Sequence, residues 1–293
     1  MNSIQYCENQ EVDKFSRWLG EIILGNKCID FSFNQTQNWK TLSDCLQSYS
    51  WPTRANYGPN LKLQNCYFPD DAKFELKAGS TLAENDVLLT RLGAGLRNAL
   101  NSGGDVEPWV LSVFQWGGML AGGAGAANRE WVSQNRTRLP EILKKGCEAL
   151  CLDSDEVSLQ NFRFNASMTK VYSLLLEDFV IYDSRVGAAL SWLVLRCYKG
   201  GSIPEYLKFA IPPSKSVITL RNPRVGNDGF SVLRNDPLKY IKWNIRANWI
   251  LTGALRHSKE NPVLRKSGEC QFKNIRRIEA ALFTLGRDLT YAR

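Results

Sequence analysis

Two residues in the stretch TKVYSLLLEDFVIYDSRV, residues 169–186, have the types and spacing for covalent chemistry: Lys170 near the start of one apolar run and Asp183 at the end of the next. A lysine attacks only as the neutral amine, so placing it at the edge of an apolar layer, where burial disfavours the ammonium, activates it. A carboxylate delivered by the following element can take up the proton or stabilise positive charge on the attacked carbon. Together they make a minimum set for Schiff-base chemistry at a sugar or carbonyl carbon. The same pair also has a plain structural use, because Asp is a favoured helix N-cap.

Positioning such a pair takes a framework, and the periodicities describe a mainly α-helical one with a few short strands. Residues 84–102 carry Leu88, Leu89, Leu92, Leu96 and Leu100 at helical spacing. In EPWVLSVFQWGGMLAGGAGAANREW, Trp109, Val113, Trp116 and Leu120 share a face, and the glycines after them read as a turn. GGAGAAN lacks the Gly-Lys-Ser/Thr ending of a phosphate-binding loop. A helix over 138–150 follows, with Pro140 in its first turn. Asp236 and Pro237 then signal the start of a helix with Ile241, Ile245, Trp249, Thr252 and Leu255 on one face and Lys239, Lys242, Arg246 and Arg256 on the other. A last helix starts at Asn274. SVITL (216–220) and DFVIYD (178–183) read as strands, and the first 80 residues as short helices and loops with turn chemistry in WPTRANYGPN (51–60).

Composition narrows the function classes. The chain has 293 residues, 44% of them hydrophobic, enough for a substantial core. Its longest uncharged run, 108–128, is diluted by five glycines and Gln115, so no membrane span is expected. Its first residues lack the pattern of a secretory leader, and the expected compartment is the cytoplasm. Eight cysteines include no Cys-x-x-Cys pair, so neither a zinc knuckle nor an iron–sulfur cluster is legible, and the thiols read as reduced. No metal and no cofactor is expected. From Arg196 onward there are 19 Lys or Arg against 7 Asp or Glu, a net +12, whereas residues 1–195 carry 18 against 22, a net −4. That asymmetry points to a polyanion, with DNA the expected partner, and Lys242 and Arg246 are candidate contacts to its backbone.

The stretch around Lys170 resembles the core of the helix-hairpin-helix DNA glycosylases, and within them the 8-oxoguanine DNA glycosylase branch. There a Gly-Thr-Lys-Val-Ala helix start carries a nucleophilic lysine, and a short extended segment ends in Val-Asp, the aspartate capping the next helix. The resemblance implies that Lys170 is the nucleophile, Asp183 the catalytic carboxylate and 179–182 the extended segment. A second match, RRIEAALFTLGRDL, is similar to a late helix of that family with the pattern Gln-Ala-Val-Leu-Phe. It implies that Glu279 stands where an amide reads the base edge and that Phe283 stacks on the flipped base. Where the family has Leu-Pro-Gly-x-Gly before the lysine, this chain has RFNASM (163–168), with no glycine to expose backbone amides to a phosphate. Glu279 in place of the amide alters the hydrogen-bonding code at the base edge.

On this basis residues 1–105 are expected to form a helical and irregular N-terminal region, either separate or layered on the same core, and 106–293 a glycosylase-like helical domain with a basic C-terminal third. The expected activity is base excision, with or without lyase action at the resulting abasic site, on an oxidised or modified base. The rivals are a silent DNA-binding sensor of a repair or defence system and a protein-interaction subunit whose basic face meets an acidic partner. Arg185 is read as ordering Asp183 or meeting a DNA phosphate. Trp116 and Trp249 fit a stacking surface or a core stripe equally, Phe283 on an amphipathic helix fits a core as well, and His257 is read as a helix C-terminal contact.

Overall fold

The computed structural model describes residues 1–33, 37–51, 60–62, 75–77, 79–158, 162–214, 221–223, 229–234, 236–260 and 271–290. The segment 216–220 and most of 51–60 lie outside them. The protein is mainly helical. In chain order it has α1 (Ser3–Cys7), α2 (Gln10–Ile23), β1 (Phe31–Phe33), β2 (Gln37–Trp39), α3 (Leu42–Gln47), β3 (Asn60–Lys62), β4 (Glu75–Lys77), α4 (Leu82–Ser102), α5 (Glu107–Trp116), α6 (Gly122–Gln134), α7 (Leu139–Cys151), α8 (Met168–Leu175), α9 (Ser184–Cys197), α10 (Pro237–Glu260) and α11 (Ile275–Leu285). Among the described residues the strands pair as two antiparallel couples, β1 with β2 and β3 with β4. No described helix is long and apolar enough to cross a membrane.

Local chemistry sets the helix starts. Thr81 and Glu84 form a reciprocal capping box at α4, whose other end is closed by Gly103 in the left-handed region at φ 74°. The five leucines of the predicted stripe on α4 are all buried. Asp236 accepts the Lys239 N–H at 2.9 Å in front of Pro237, and Asn274 accepts the Arg277 N–H at 3.1 Å, starting α10 and α11 where expected. The glycine-rich GGAGAAN does not form the expected turn. The turn is shorter, and these residues open α6, where small side chains let the backbone of Leu120 lie against Gly125.

One hydrophobic core runs from Tyr6 to Leu289. The α1 and α2 helices pack on α10, α3 packs on α11, and α8 lies against α4, α5 and α7. N-terminal elements therefore share a core with the last two helices. Gly20 makes the α2–α10 approach close, since a Cβ there would stand 2.5 Å from His257 Cδ2 and 3.1 Å from the Ala254 carbonyl oxygen.

The α10 helix departs from the expected two-faced pattern. Flanked by α1, α2 and α11, it is buried around most of its circumference between Tyr240 and Leu251, so it is a central helix and not a surface one with a basic exterior. Arg246 is consequently turned into the interior, away from the expected basic exterior. It is 7% exposed and its guanidinium pairs with Asp155 Oδ2, Nε at 2.7 Å and Nη2 at 2.6 Å, lying 5.0 Å from the Tyr6 ring centre and 5.2 Å from that of Trp243. Lys242, about a third exposed, leans toward the same carboxylate at 3.9 Å. Lys239, Arg256 and Lys259 remain exposed on this helix. His257 lies in the last turn of α10, as expected, and also faces Glu21 on α2 at 3.3 Å.

Removing Arg246 leaves the buried Asp155 charge with only the Met1 ammonium at 2.9 Å and the more distant Lys242. Arg246→Ala is expected to cost about 3 kcal/mol in urea unfolding, against less than ~0.5 kcal/mol for the exposed Lys239→Ala. Equal, small losses would refute the structural role assigned to Arg246.

Candidate active site

DFVIYD is extended but is not a strand. It leaves the end of α8 through Asp178 in the left-handed region at φ 51° and runs without a ladder partner. Side chains replace the ladder. The N–H groups of Val180, Ile181 and Tyr182 donate to Asn248 Oδ1 (2.9 Å), Glu279 Oε2 (2.8 Å) and Thr169 Oγ1 (3.0 Å). The Val180 carbonyl accepts from Asn244 Nδ2 at 2.9 Å and that of Tyr182 from the Tyr240 hydroxyl. Thr169 in turn donates to Asn244 Oδ1 at 2.6 Å. Helices α8, α10 and α11 are thereby fastened to one short segment, which satisfies buried backbone groups that a missing sheet would otherwise leave costly.

The segment delivers Asp183 to the start of α9. Its Oδ1 accepts the N–H groups of Arg185 (2.9 Å) and Val186 (3.2 Å), the N-cap expected of it, while Oδ2 stands 3.7 Å from Lys170 Nζ. Lys170 is the third residue of α8 and only 4% exposed. Its ammonium also donates to the Ala166 carbonyl at 3.0 Å. The alkyl chain lies along Gly117 at the end of α5, where an added Cβ would come within 2.5 Å of Lys170 Cδ. The loop before α8 caps its own backbone amides. Asn165 Oδ1 accepts the N–H groups of Ser167 (2.9 Å) and Met168 (3.1 Å), so these amides are occupied internally.

Glu279 on α11 holds the Ile181 N–H with one oxygen and Arg276 with the other. One turn later, Phe283 lies with its ring centre 5.9 Å from Tyr49 and 5.4 Å from Trp51, and Trp51 is 5.3 Å from Trp116. Lys170, Asp183, Glu279 and Phe283 thus line one pocket with Tyr49, Trp51, Trp116 and Arg276. The four residues picked from two separate stretches of sequence meet there. Arg185 is turned inward. It is 8% exposed, and its guanidinium stacks 4.1 Å from the Phe283 ring centre. In this arrangement that face of Phe283 is covered, and the cavity measures about 20 Å³, room for a single water and not for a base.

Sequence reasoning missed Tyr49, Trp51, Asn244, Asn248, Thr169 and Arg276, since their roles exist only once distant elements meet. Trp116 resolves as a pocket wall, whereas Trp249 packs on Tyr6 with centres 5.6 Å apart, away from the site. Arg221, also not singled out, donates to Ser184 Oγ at 2.6 Å beside the Asp183 cap.

The charges tune one another. Burial lowers the Lys170 pKa, and although Asp183 and Glu279 pull it back up, it remains below the ordinary lysine value. Burial pushes Asp183 up, but Lys170, Arg185 and the two cap N–H groups more than offset this and hold it below the usual carboxylate value. Glu279 is pushed up to about 7 by burial, against the pull of Arg276. The site therefore offers an amine more readily neutral than usual, a firmly ionised acid beside it, and a second carboxyl group that titrates near neutrality.

Two substitutions separate these roles. Asn caps a helix as well as Asp does, and both Asp183→Asn and Asp183→Ala lose the charge facing Lys170, so the Ala variant is expected to be about 1 kcal/mol less stable than the Asn variant; thermal or urea unfolding of both variants checks this. A Glu279 proton held in the fold but released by the unfolded chain stabilises fully below the ordinary pKa of 4.5, and this contribution is lost as pH rises through about 7. Relative to wild type, Glu279→Gln should gain about 3 kcal/mol in unfolding free energy between roughly pH 4 and pH 8. A pH-independent difference would show that the carboxyl is ionised throughout. No family model matches the chain, and neither a curated protein nor a solved structure does, so the functional reading rests on the pocket's own residues.

Proposed function

We propose that this protein is a DNA base-excision glycosylase that acts on an oxidised or modified base flipped out of the duplex. Lys170, as the free amine, attacks the anomeric carbon; the bond to the base breaks, and the base leaves with a proton. Opening of the sugar ring then gives an imine between Lys170 and the former C1′, from which strand cleavage can follow. Asp183 stabilises positive charge on the sugar and takes part in proton movement at the amine. Phosphate contacts from exposed cations of the basic C-terminal third offset the few kcal/mol of unstacking, so binding weakens steeply with salt.

The observation that carries this reading is the convergence of Lys170, Asp183, Glu279 and Phe283 in one aromatic-walled pocket, with the lysine buried beside the aspartate. A second reading, a silent DNA-binding sensor of a repair or defence system, is favoured by the closed cavity and by Arg185 on the Phe283 face. Under the enzyme reading Arg185 must leave that face before a base enters.

Borohydride reduction in the presence of duplexes containing 8-oxoguanine or an abasic site tests the chemistry. Wild type is expected to give a covalent protein–DNA band, and Lys170→Ala none. Retained DNA binding without a band and without base release would establish the sensor reading. Loss of both binding and chemistry would overturn the proposal.

A further inference from the structure

Much of the pocket's aromatic wall comes from elements outside the two stretches that carry Lys170 and Glu279, and it is gathered at the start of α4. Asn85, in the first turn of that helix, is fully buried. Its Nδ2 donates to the Tyr49 hydroxyl at 2.8 Å and its Oδ1 accepts the Trp116 indole N–H at 2.8 Å. The amide orientation is fixed by chemistry, because an indole N–H can only donate and must face the amide oxygen. Just before the helix, the Ser80 carbonyl accepts the Trp51 N–H at 2.9 Å. Tyr49, Trp51 and Trp116 are thus tied to one helix end, the first and last of them through a single side chain. Tyr49 and Trp51 in turn pack against Phe283.

We infer that Asn85 is a positioning residue that sets the shape of this aromatic wall and so decides which bases are accepted over Lys170. The inference rests on the glycosylase reading for its functional half. An apolar residue in place of Asn85 leaves a buried hydroxyl and a buried indole N–H without this partner, and the rings they anchor must shift or pair elsewhere. An aspartic acid can keep both bonds, because a carboxyl group accepts from Trp116 with one oxygen and meets the Tyr49 hydroxyl with the other.

The test compares Asn85→Leu, Asn85→Asp and Trp116→Phe with wild type in two reactions. Base release from a duplex holding 8-oxoguanine needs the wall, while imine trapping on an abasic duplex has no base to seat. Asn85→Leu and Trp116→Phe are expected to lose about tenfold or more in base release and less than about threefold in trapping; Asn85→Asp restores most of the loss. Equal losses in both reactions, or none in either, overturn the inference. Near-ultraviolet circular dichroism gives an answer independent of activity. Asn85→Leu should change the tryptophan bands with the far-ultraviolet spectrum retained, Asn85→Asp should recover them, and unchanged bands in Asn85→Leu overturn the positioning role. If wild type neither releases base nor traps, the glycosylase reading falls, and the spectra still decide whether Asn85 holds the wall.

Discussion

The site depends on how residues 179–182 satisfy their backbone. An extended segment inside a helical protein has no neighbouring strand, and unpaired buried N–H and C=O groups are costly. Here five side chains, Thr169, Tyr240, Asn244, Asn248 and Glu279, take the place of a sheet. Because they come from α8, α10 and α11, satisfying the segment also fixes those helices relative to one another. Lys170 follows Thr169 directly in α8, and Asp183 follows Tyr182 directly in the segment. Their 3.7 Å approach is thus a consequence of how the backbone is anchored.

The same anchoring imposes an electrostatic compromise. Glu279 must be close enough to hold the Ile181 N–H, which places a second carboxyl group near Asp183 and Lys170 in a buried pocket. Two carboxylates and one lysine would leave an excess of negative charge. Arg276 and Arg185 counter it, and burial, the largest effect, still holds the Glu279 pKa up at about 7. Ionic groups buried together in this way stabilise a fold weakly or not at all, since desolvation rivals attraction.

Closure of the pocket is the other consequence of this packing. Arg185, in the first turn of α9 after Asp183, returns its guanidinium to Phe283 and covers one flat face of that ring. A planar cation on an aromatic ring is a favourable contact, so the closed arrangement has its own stabilisation and a ligand must compete with it. The N-terminal elements complete the enclosure, with Tyr49, Trp51 and Trp116 held at the start of α4.

The sequence by itself determined the helices whose caps and stripes are local: the leucine stripe of α4, the Asp236–Pro237 start of α10, the Asn274 start of α11 and the Asp183 cap. It also marked Lys170, Asp183, Glu279 and Phe283, because in those stretches residue type and short-range order carry the pattern. Tertiary structure decided everything that depends on a distant partner. DFVIYD has the composition of a strand, yet whether it pairs depends on α10 and α11, about 60 to 100 residues away in the chain. Arg246 falls on what reads as a basic face, and only the position of Asp155, 91 residues earlier, turns it inward. Asn85 looks like any polar residue in a helix until Tyr49 and Trp116 close around it. Periodicity and capping act within a few residues, whereas the satisfaction of buried polar groups is settled by whichever elements the core brings together.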